Sequence, residues 1–254
     1  MYALISDVHA NLEALRAVLA DIDALGVREV RCLGDVVGYG PDAVECTDLV
    51  MSRAAWCVKG NHEEALVHGA YGFHLRAKEA IDWHRDQLRP GFFSGPRVRA
   101  RWDWLAGLPL RQEVGPDLFL HGSPRDPTQE YLLHHEVAIG PSEKYEEVFA
   151  GFERLLFVGH THQPGVITSD YEARTSAELG DELRLSDLRG RKAIVNVGSV
   201  GQPRDKDPRA CWVLVDEEAI RWRRVAYDPA RTAQRVEASG RLHKSLGERL
   251  LTGV

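Results

Sequence analysis

The chain reads as an α/β protein on three observations. Short apolar runs of strand length alternate with stretches whose apolar residues recur every three or four positions, the pattern of strands joined by amphipathic helices. Five of these runs lead directly into Asp, Asn or His, as in an open sheet that presents polar side chains at its carboxyl edge. A content of 44% hydrophobic and 28% charged residues over 254 positions suits a globule with a real core.

Taken in order, residues 2–6 form the first apolar run. Asn11 then offers a helix cap, Leu12, Leu15, Leu19, Ile22 and Leu25 follow the helical period, and Gly26 stops it. Residues 29–33 are strand-like again, which completes a strand–helix–strand crossover. Residues 43–52 continue as helix and 55–58 as a third strand. From residue 63 to 110 helix formers dominate, with Trp83, Trp102 and Trp104 among segments broken at Pro90-Gly91 and Gly95-Pro96, which predicts a helical insertion beside the sheet. Strand-like runs return at 117–120 and 155–158. Between them Tyr145, Val148, Phe149 and Phe152 mark a helix after Ser142. Further strands are expected at 166–168, 193–197, 211–215 and 219–225. Residues 170–192 are polar and read as an exposed excursion or hairpin, and residues 226–254 as a helical tail broken at Gly240. The whole chain, 1–254, is expected to form a single domain.

Composition narrows the function classes. A formal charge of -6 argues against general nucleic-acid binding, which favours a basic face. No apolar run approaches the roughly 20 residues that span a bilayer, and residues 1–7 lack the pattern of a signal peptide, so no membrane association and a cytoplasmic location are expected. Cys32, Cys46, Cys57 and Cys211 show no Cys-x-x-Cys spacing and suggest neither zinc knuckle nor disulfide framework.

Seven candidate ligands fall in five blocks: Asp7 and His9, Asp35, Asn61, His121, and His160 with His162. Asp7 and His9 are two residues apart, so in extended backbone their side chains point the same way, and His160 and His162 repeat that geometry. Each block alone is ordinary polarity at a strand end, but together they describe a two-metal hydrolytic site. Oxygen and imidazole donors without thiolate suit Mn²⁺, Fe²⁺, Zn²⁺, Co²⁺ or Ni²⁺ better than Mg²⁺ or Ca²⁺. His68, His74, His84, His134 and His135 fit no such block.

The stretches Ser6-Asp7-Val8-His9, Gly34-Asp35, Gly60-Asn61-His62-Glu63, His121-Gly122 and Gly159-His160-Thr161-His162 resemble, in order, the five motifs of the calcineurin-like metallophosphoesterase superfamily. Gly-Asn-His-Glu together with residues 196–205 is most similar to its small bacterial phosphodiesterases. The resemblance implies a four-layer α/β/β/α sandwich. It also implies two divalent ions, with Mn²⁺ the first choice: one on Asp7, His9 and His162, the other on Asn61, His121 and His160, with Asp35 as bridge. His62 takes the position of the family's catalytic histidine, the candidate to protonate the leaving group. The implied reaction is in-line attack on phosphorus by metal-bound hydroxide. Four positive charges less those of Asp7, Asp35 and a hydroxide leave about +1 to attract a phosphate ester.

Phosphoprotein phosphatases of this superfamily carry Gly-Asp-x-Val-Asp-Arg-Gly, whereas residues 34–40 here read Gly-Asp-Val-Val-Gly-Tyr-Gly. Without that arginine fork a phosphomonoester dianion is less well gripped, so a small phosphodiester or nucleotide is the expected substrate. A phosphomonoesterase, a nucleoside polyphosphate hydrolase or a nuclease are the alternatives among enzymes. A non-catalytic binding module on the same scaffold is the alternative outside them, and it would need none of the ligands. Ser199, in the loop 198–201, and Arg204 are further candidates for contact with substrate.

Overall fold

The computed structural model describes residues 1–254, and its elements follow from local chemistry at each step. Strand β1 (Tyr2–Ile5) runs into helix α1 (Leu12–Ala24), whose cap is the Asn11 side chain accepting from the Ala14 N–H. Strand β2 (Val30–Cys32), helix α2 (Ala43–Arg53) and strand β3 (Ala54–Cys57) come next. Three helices follow: α3 (Asn61–His68), α4 (Leu75–Leu88) and α5 (Pro96–Gly107). A hairpin of β4 (Arg111–Val114) and β5 (Asp117–Leu120) leads to the short α6 (His134–Val137) and to α7 (Glu143–Ala150). The remaining strands are β6 (Leu155–Val158), β7 (Gly165–Thr168), β8 (Ala173–Thr175), β9 (Glu182–Arg184), β10 (Ala193–Asn196), β11 (Ala210–Val215) and β12 (Ala219–Val225). Helices α8 (Pro229–Ala238) and α9 (Ser245–Glu248) follow the last strand. No helix is long and apolar enough to cross a membrane.

Two six-stranded sheets form, in the orders β3-β2-β1-β11-β12-β9 and β4-β5-β6-β10-β7-β8. Their central strands, such as β1, β6 and β10, are apolar on both faces because both faces are covered. In β1, Leu4 points between the sheets with Phe119, Phe157, Val195 and Val213, while Ala3 and Ile5 face Leu15, Val18 and Ile22 of α1. In β6, Leu155 and Phe157 point inward and Leu156 and Val158 meet Tyr145, Val148 and Phe149 of α7. The layers therefore run helix, sheet, sheet, helix, the four-layer sandwich that the sequence resemblance implied.

Of the two readings of residues 170–192, an exposed excursion or a hairpin, the segment is mostly exposed but forms no hairpin of its own. β8 pairs with β7 at the edge of one sheet and β9 pairs with β12 at the edge of the other, so the segment crosses between the two sheets. Its exposed, charged strands carried too little apolar alternation to show this. Helices α3 to α5 lie against the turns that follow β1 and β2: Leu66, Ile81, Leu88 and Leu105 pack with Ala10 and Val37. Val236, Leu242 and Leu246 of the tail pack with Ala77, Ala80 and Tyr39. Trp102 and Trp104 sit half-buried against the first of these clusters and Trp83 against the second, so all three fill helix contacts.

Candidate metal centre

All seven ligand candidates converge in one buried nest at the carboxyl ends of β1, β2, β3, β5 and β6. Their route there differs from the extended alternation expected of Asp7 with His9 and His160 with His162. Asp7, His9, Asp35, His160 and His162 all hold positive φ, between 46° and 65°. Left-handed backbone disfavours L-residues, Asp and His less than most, and such strain persists only where surrounding contacts over-determine it. Those contacts are present. The N–H groups of Asp7, His9 and Ala10 donate to the carbonyls of Gly34, Asp35 and Val36, and the Gly201 N–H donates to the Asp7 carbonyl.

Two donor sets result, and they share one atom. Asp7 Oδ1 lies 3.0 Å from His162 Nε2, which lies 3.1 Å from His9 Nε2. On the other side His121 Nε2 is 3.2 Å from Asn61 Oδ1, 3.2 Å from His160 Nδ1 and 3.3 Å from Asp35 Oδ2. Asp35 Oδ2 also stands 3.7 Å from His9 Nε2. A single carboxylate oxygen thus faces both sets, rather than one oxygen facing each. Asp35 Oδ1 is engaged elsewhere, accepting the His62 N–H at 2.9 Å from the first turn of α3. Gly60 permits this approach, since a Cβ there would collide with the Asp35 carboxylate.

Ring tautomers decide what the nest can hold. His9 Nδ1 lies 3.1 Å from the Val37 carbonyl, His121 Nδ1 2.8 Å from that of Leu33, His162 Nδ1 2.5 Å from that of Gln202, and His160 Nε2 3.0 Å from that of Gln129. A carbonyl only accepts, so each of these nitrogens carries the proton and the opposite nitrogen turns a lone pair inward. With those rings neutral each set is a ring of acceptors, and Asp7 Oδ1 is buried without a hydrogen-bond partner. Unpaired buried acceptors are costly, and cations between them remove the cost. The spacing agrees: ligand bonds of about 2.0–2.2 Å give donor–donor edges of about 2.8–3.1 Å in octahedral and about 3.3–3.6 Å in tetrahedral shells. Paired divalent ions fit these residues.

Charge follows the same logic. Burial would raise the Asp7 and Asp35 carboxyls, but the facing histidines outweigh it and hold both well below the usual carboxylate range. Burial opposes charge on His121, yet Asp35 and Asp7 pull it up to about 10, which marks where positive charge is wanted. His160 is pushed down to about 4 by burial and by His121, and His162 to about 3 by burial and by Arg204.

His62 lies at the edge of the shared oxygen, its Nε2 3.9 Å from Asp35 Oδ2. Its ring is held edge-on to Phe73 at 5.2 Å and to His9 at 4.7 Å. Burial pushes its basicity well down, with Asp35 offsetting part of the effect. Ser199 is placed otherwise than expected. Fully buried, its hydroxyl donates to the Asp7 carbonyl at 2.9 Å and accepts from the Gln202 N–H at 2.8 Å. Val200 and Gly201 likewise spend their amides on the carbonyls of Ser6 and Asp7. The loop 198–201 braces the turn after β1, with the Ser199 hydroxyl and the Val200 and Gly201 amides spent on that turn and on Gln202. Arg204 is beside the centre, its guanidinium carbon 5.8 Å from the Tyr39 ring, which in turn packs on His9 and His62.

Two residues passed over in the sequence hold the centre together. Glu63, fully buried, accepts four backbone N–H groups: Asp35 and Gly60 on Oε2 at 2.8 and 3.0 Å, Val36 and Val37 on Oε1 at 2.8 and 3.2 Å. Burial and the Asp35 charge push its carboxyl up to about 7 against those four bonds. His84 accepts from the Gly38 N–H and donates to the Gly40 carbonyl, both at 2.9 Å, and so fixes the loop that carries Tyr39. An amide in place of Glu63 would turn an NH₂ toward two of the four donors. Each buried donor left unpaired costs about 1–3 kcal/mol, so Glu63→Gln is expected to lose at least about 2 kcal/mol of stability in a denaturant melt. An unchanged melt would refute this bracing role.

Comparison with known proteins agrees with this architecture. The family model for the calcineurin-like phosphoesterase superfamily domain matches residues 1–219. The protein MJ0912 of Methanocaldococcus jannaschii is 34% identical over 262 residues, an alignment covering 100% of this chain and 98% of that one. A crystal structure of a metallophosphoesterase from Sphaerobacter thermophilus superposes with a TM-score of 0.81 at 36% identity, covering 100% of this chain and 99% of that one. The protein PH1004 of Pyrococcus horikoshii OT3 shares the fold at a TM-score of 0.73 and 18% identity, covering 100% of this chain and 98% of that one. The chain belongs to the calcineurin-like phosphoesterase superfamily, whose members are metal-dependent hydrolases of phosphoesters.

Proposed function

We propose that the protein is a dinuclear metal-dependent phosphodiesterase acting on a small phosphodiester or nucleotide. The observation that carries this reading is the pair of inward-facing acceptor sets joined at Asp35 Oδ2. In this reading Asp7, His9 and His162 hold one ion, Asn61, His121 and His160 the other, and Asp35 joins them. Bound there, two divalent ions supply Lewis acidity toward phosphoryl oxygens and a nucleophile usable near neutral pH. Mn²⁺ is the first candidate, with Fe, Zn, Co or Ni also suited to these donors.

The chain's own residues do the rest. The four carbonyl-anchored rings keep the same nitrogen aimed at the centre, and Glu63 holds the Asp35 turn rigid. His62 Nε2 stands 3.9 Å from the shared Asp35 Oδ2, which supports its assignment as the proton donor in this reading. Residues 1–254 act as one domain, with 63–110 and the tail 226–254 walling the centre through their contacts with the Asp35–Tyr39 turn. Four buried free thiols suit a reducing compartment such as the cytoplasm.

The test is removal and return of metal. Stripped with a chelator, the protein is expected to lose turnover of bis(4-nitrophenyl) phosphate and to regain it with Mn²⁺, at a rate above that for 4-nitrophenyl phosphate. Preference for the monoester would instead assign the Arg204 guanidinium to the phosphate under attack. Absence of turnover on both, with two ions bound per chain, would favour a non-catalytic scaffold.

A further inference from the structure

One aromatic ring that touches the metal centre is open to solvent. Of the non-ligand rings that pack on the ligand histidines, Tyr39 is 7% exposed and His62 2%, whereas Tyr131 is 43% exposed. Tyr131 stacks face to face on His160, with ring centres 3.9 Å apart and planes 13° from parallel. His160 is itself buried, so one face of Tyr131 is spent on it and the exposure belongs to the opposite face and the ring edge. His160 shares its donor set with His121 and Asn61, which puts Tyr131 one ring away from that ion position.

The ring is held there by the strap that follows ligand His121. The Gly122 N–H donates to the Pro127 carbonyl at 2.7 Å and the Ser123 N–H to the Asp126 carbonyl at 2.9 Å, which closes the strap on itself. The Ser123 hydroxyl donates to Glu130. Thr128 Oγ1 and Gln129 Nε2 both donate to Glu64 of α3, the helix that begins at Asn61. Lys144 Nζ donates to the Tyr131 carbonyl at 2.6 Å, and the Tyr145 hydroxyl to that of Leu133 at 3.0 Å. The Gln129 carbonyl, two residues before the ring, is the one that anchors His160 Nε2. One fixed strap thus orients His160 and lays Tyr131 against it. Leu132, the next residue, turns into the core beside Tyr145 and Val148 of α7, while Tyr131 faces water.

We propose that Tyr131 is a substrate-recognition residue, whose exposed face stacks the flat base of a nucleotide held by its phosphate at the metal centre. This rests on the reading of that centre above and names its substrate class: a nucleoside phosphate ester, in preference to a base-free sugar or alkyl ester. Aromatic rings favour offset stacking, and a base laid on Tyr131 continues the stack that begins at His160. A ring already fixed by its strap loses little freedom when the base arrives. Every base offers a π-face, so Tyr131 selects for a base without choosing among them.

The test is one of binding and needs no turnover. Mn²⁺-loaded protein is titrated calorimetrically with two phosphonates: adenosine 5′-phosphate with CH₂ in place of its ester oxygen, and the same compound without the base. The base is expected to tighten binding about tenfold or more. Tyr131→Phe should keep that ratio, since the ring remains. Tyr131→Leu should bring it to about 1, with both ions still bound and the affinity for the base-free compound changed by no more than about twofold. Equal affinity for the two phosphonates in the unaltered protein, or binding of neither, overturns the assignment. So does a Tyr131→Leu protein that sheds metal and loses both ligands by one factor, which would make Tyr131 a support for His160 alone. Turnover of bis(4-nitrophenyl) phosphate, read in parallel, reports on the phosphodiesterase reading separately: it persists if only the base platform fails, and it is absent with the base ratio intact if only that reading fails.

Discussion

Replacing Asp35 by asparagine is expected to empty both ion positions together and to lower phosphoester turnover by at least about a thousandfold. The geometry leaves an amide no good orientation. With its NH₂ in place of Oδ1, it would oppose the His62 N–H, which now donates at 2.9 Å. With its NH₂ in place of Oδ2, it would aim a donor at the point shared by His9 and His121, 3.7 and 3.3 Å away. Either way one of the two carboxylate charges beside four positive charges is gone, and the acceptor sets lose their common atom. Metal content per chain after dialysis, read beside activity, checks this. Two ions retained at wild-type affinity would show that Asp35 does not join the sets.

The kinds of ligand were legible in the sequence because each follows an apolar run, and that much is local chemistry. How they converge was not. Alternation along a strand predicts that Asp7 and His9 share a side, but both lie beyond the end of β1 in left-handed backbone. That conformation is imposed by carbonyls of the turn after β2 and by Gly201, nearly two hundred residues away. Glu63 stood in a quoted motif and still hid its role, because three of its four donors lie 26 to 28 residues earlier in the chain. His84 is 46 residues from the loop it holds, and no spacing announces it. Ser199 misled for the converse reason: in sequence it is a hydroxyl in a glycine loop free to meet a substrate, whereas the fold spends that hydroxyl and the Val200 and Gly201 amides on the turn after β1.

The same contrast runs through the fold. The strand–helix–strand unit from β1 to β2 follows from an apolar run, an Asn cap and a Gly stop, all read within a few residues. Strand β4 was invisible because Arg111, Gln112 and Glu113 face outward at a sheet edge, where charge protects against pairing and erases alternation. β8 and β9 escaped for the same reason, and with them the crossing between the sheets.

His62→Ala is expected to keep both ions and lose about 10²- to 10³-fold in turnover on esters with poor leaving groups, while esters of 4-nitrophenol lose far less. The backbone N–H that holds Asp35 Oδ1 belongs to residue 62 and survives truncation to alanine, so the shared oxygen stays in place. None of the contacts that anchor the four ligand rings involves the His62 side chain. What is removed is a ring poised 3.9 Å from the shared oxygen between Phe73, Tyr39 and His9. A proton donor matters in proportion to the basicity of the departing oxygen, so a plot of log kcat against leaving-group pKa should steepen in the variant. A merely structural ring would lower all esters by one factor and release metal with them. Parallel plots accompanied by reduced metal content would therefore reassign His62 from proton donor to support for the Asp35 turn.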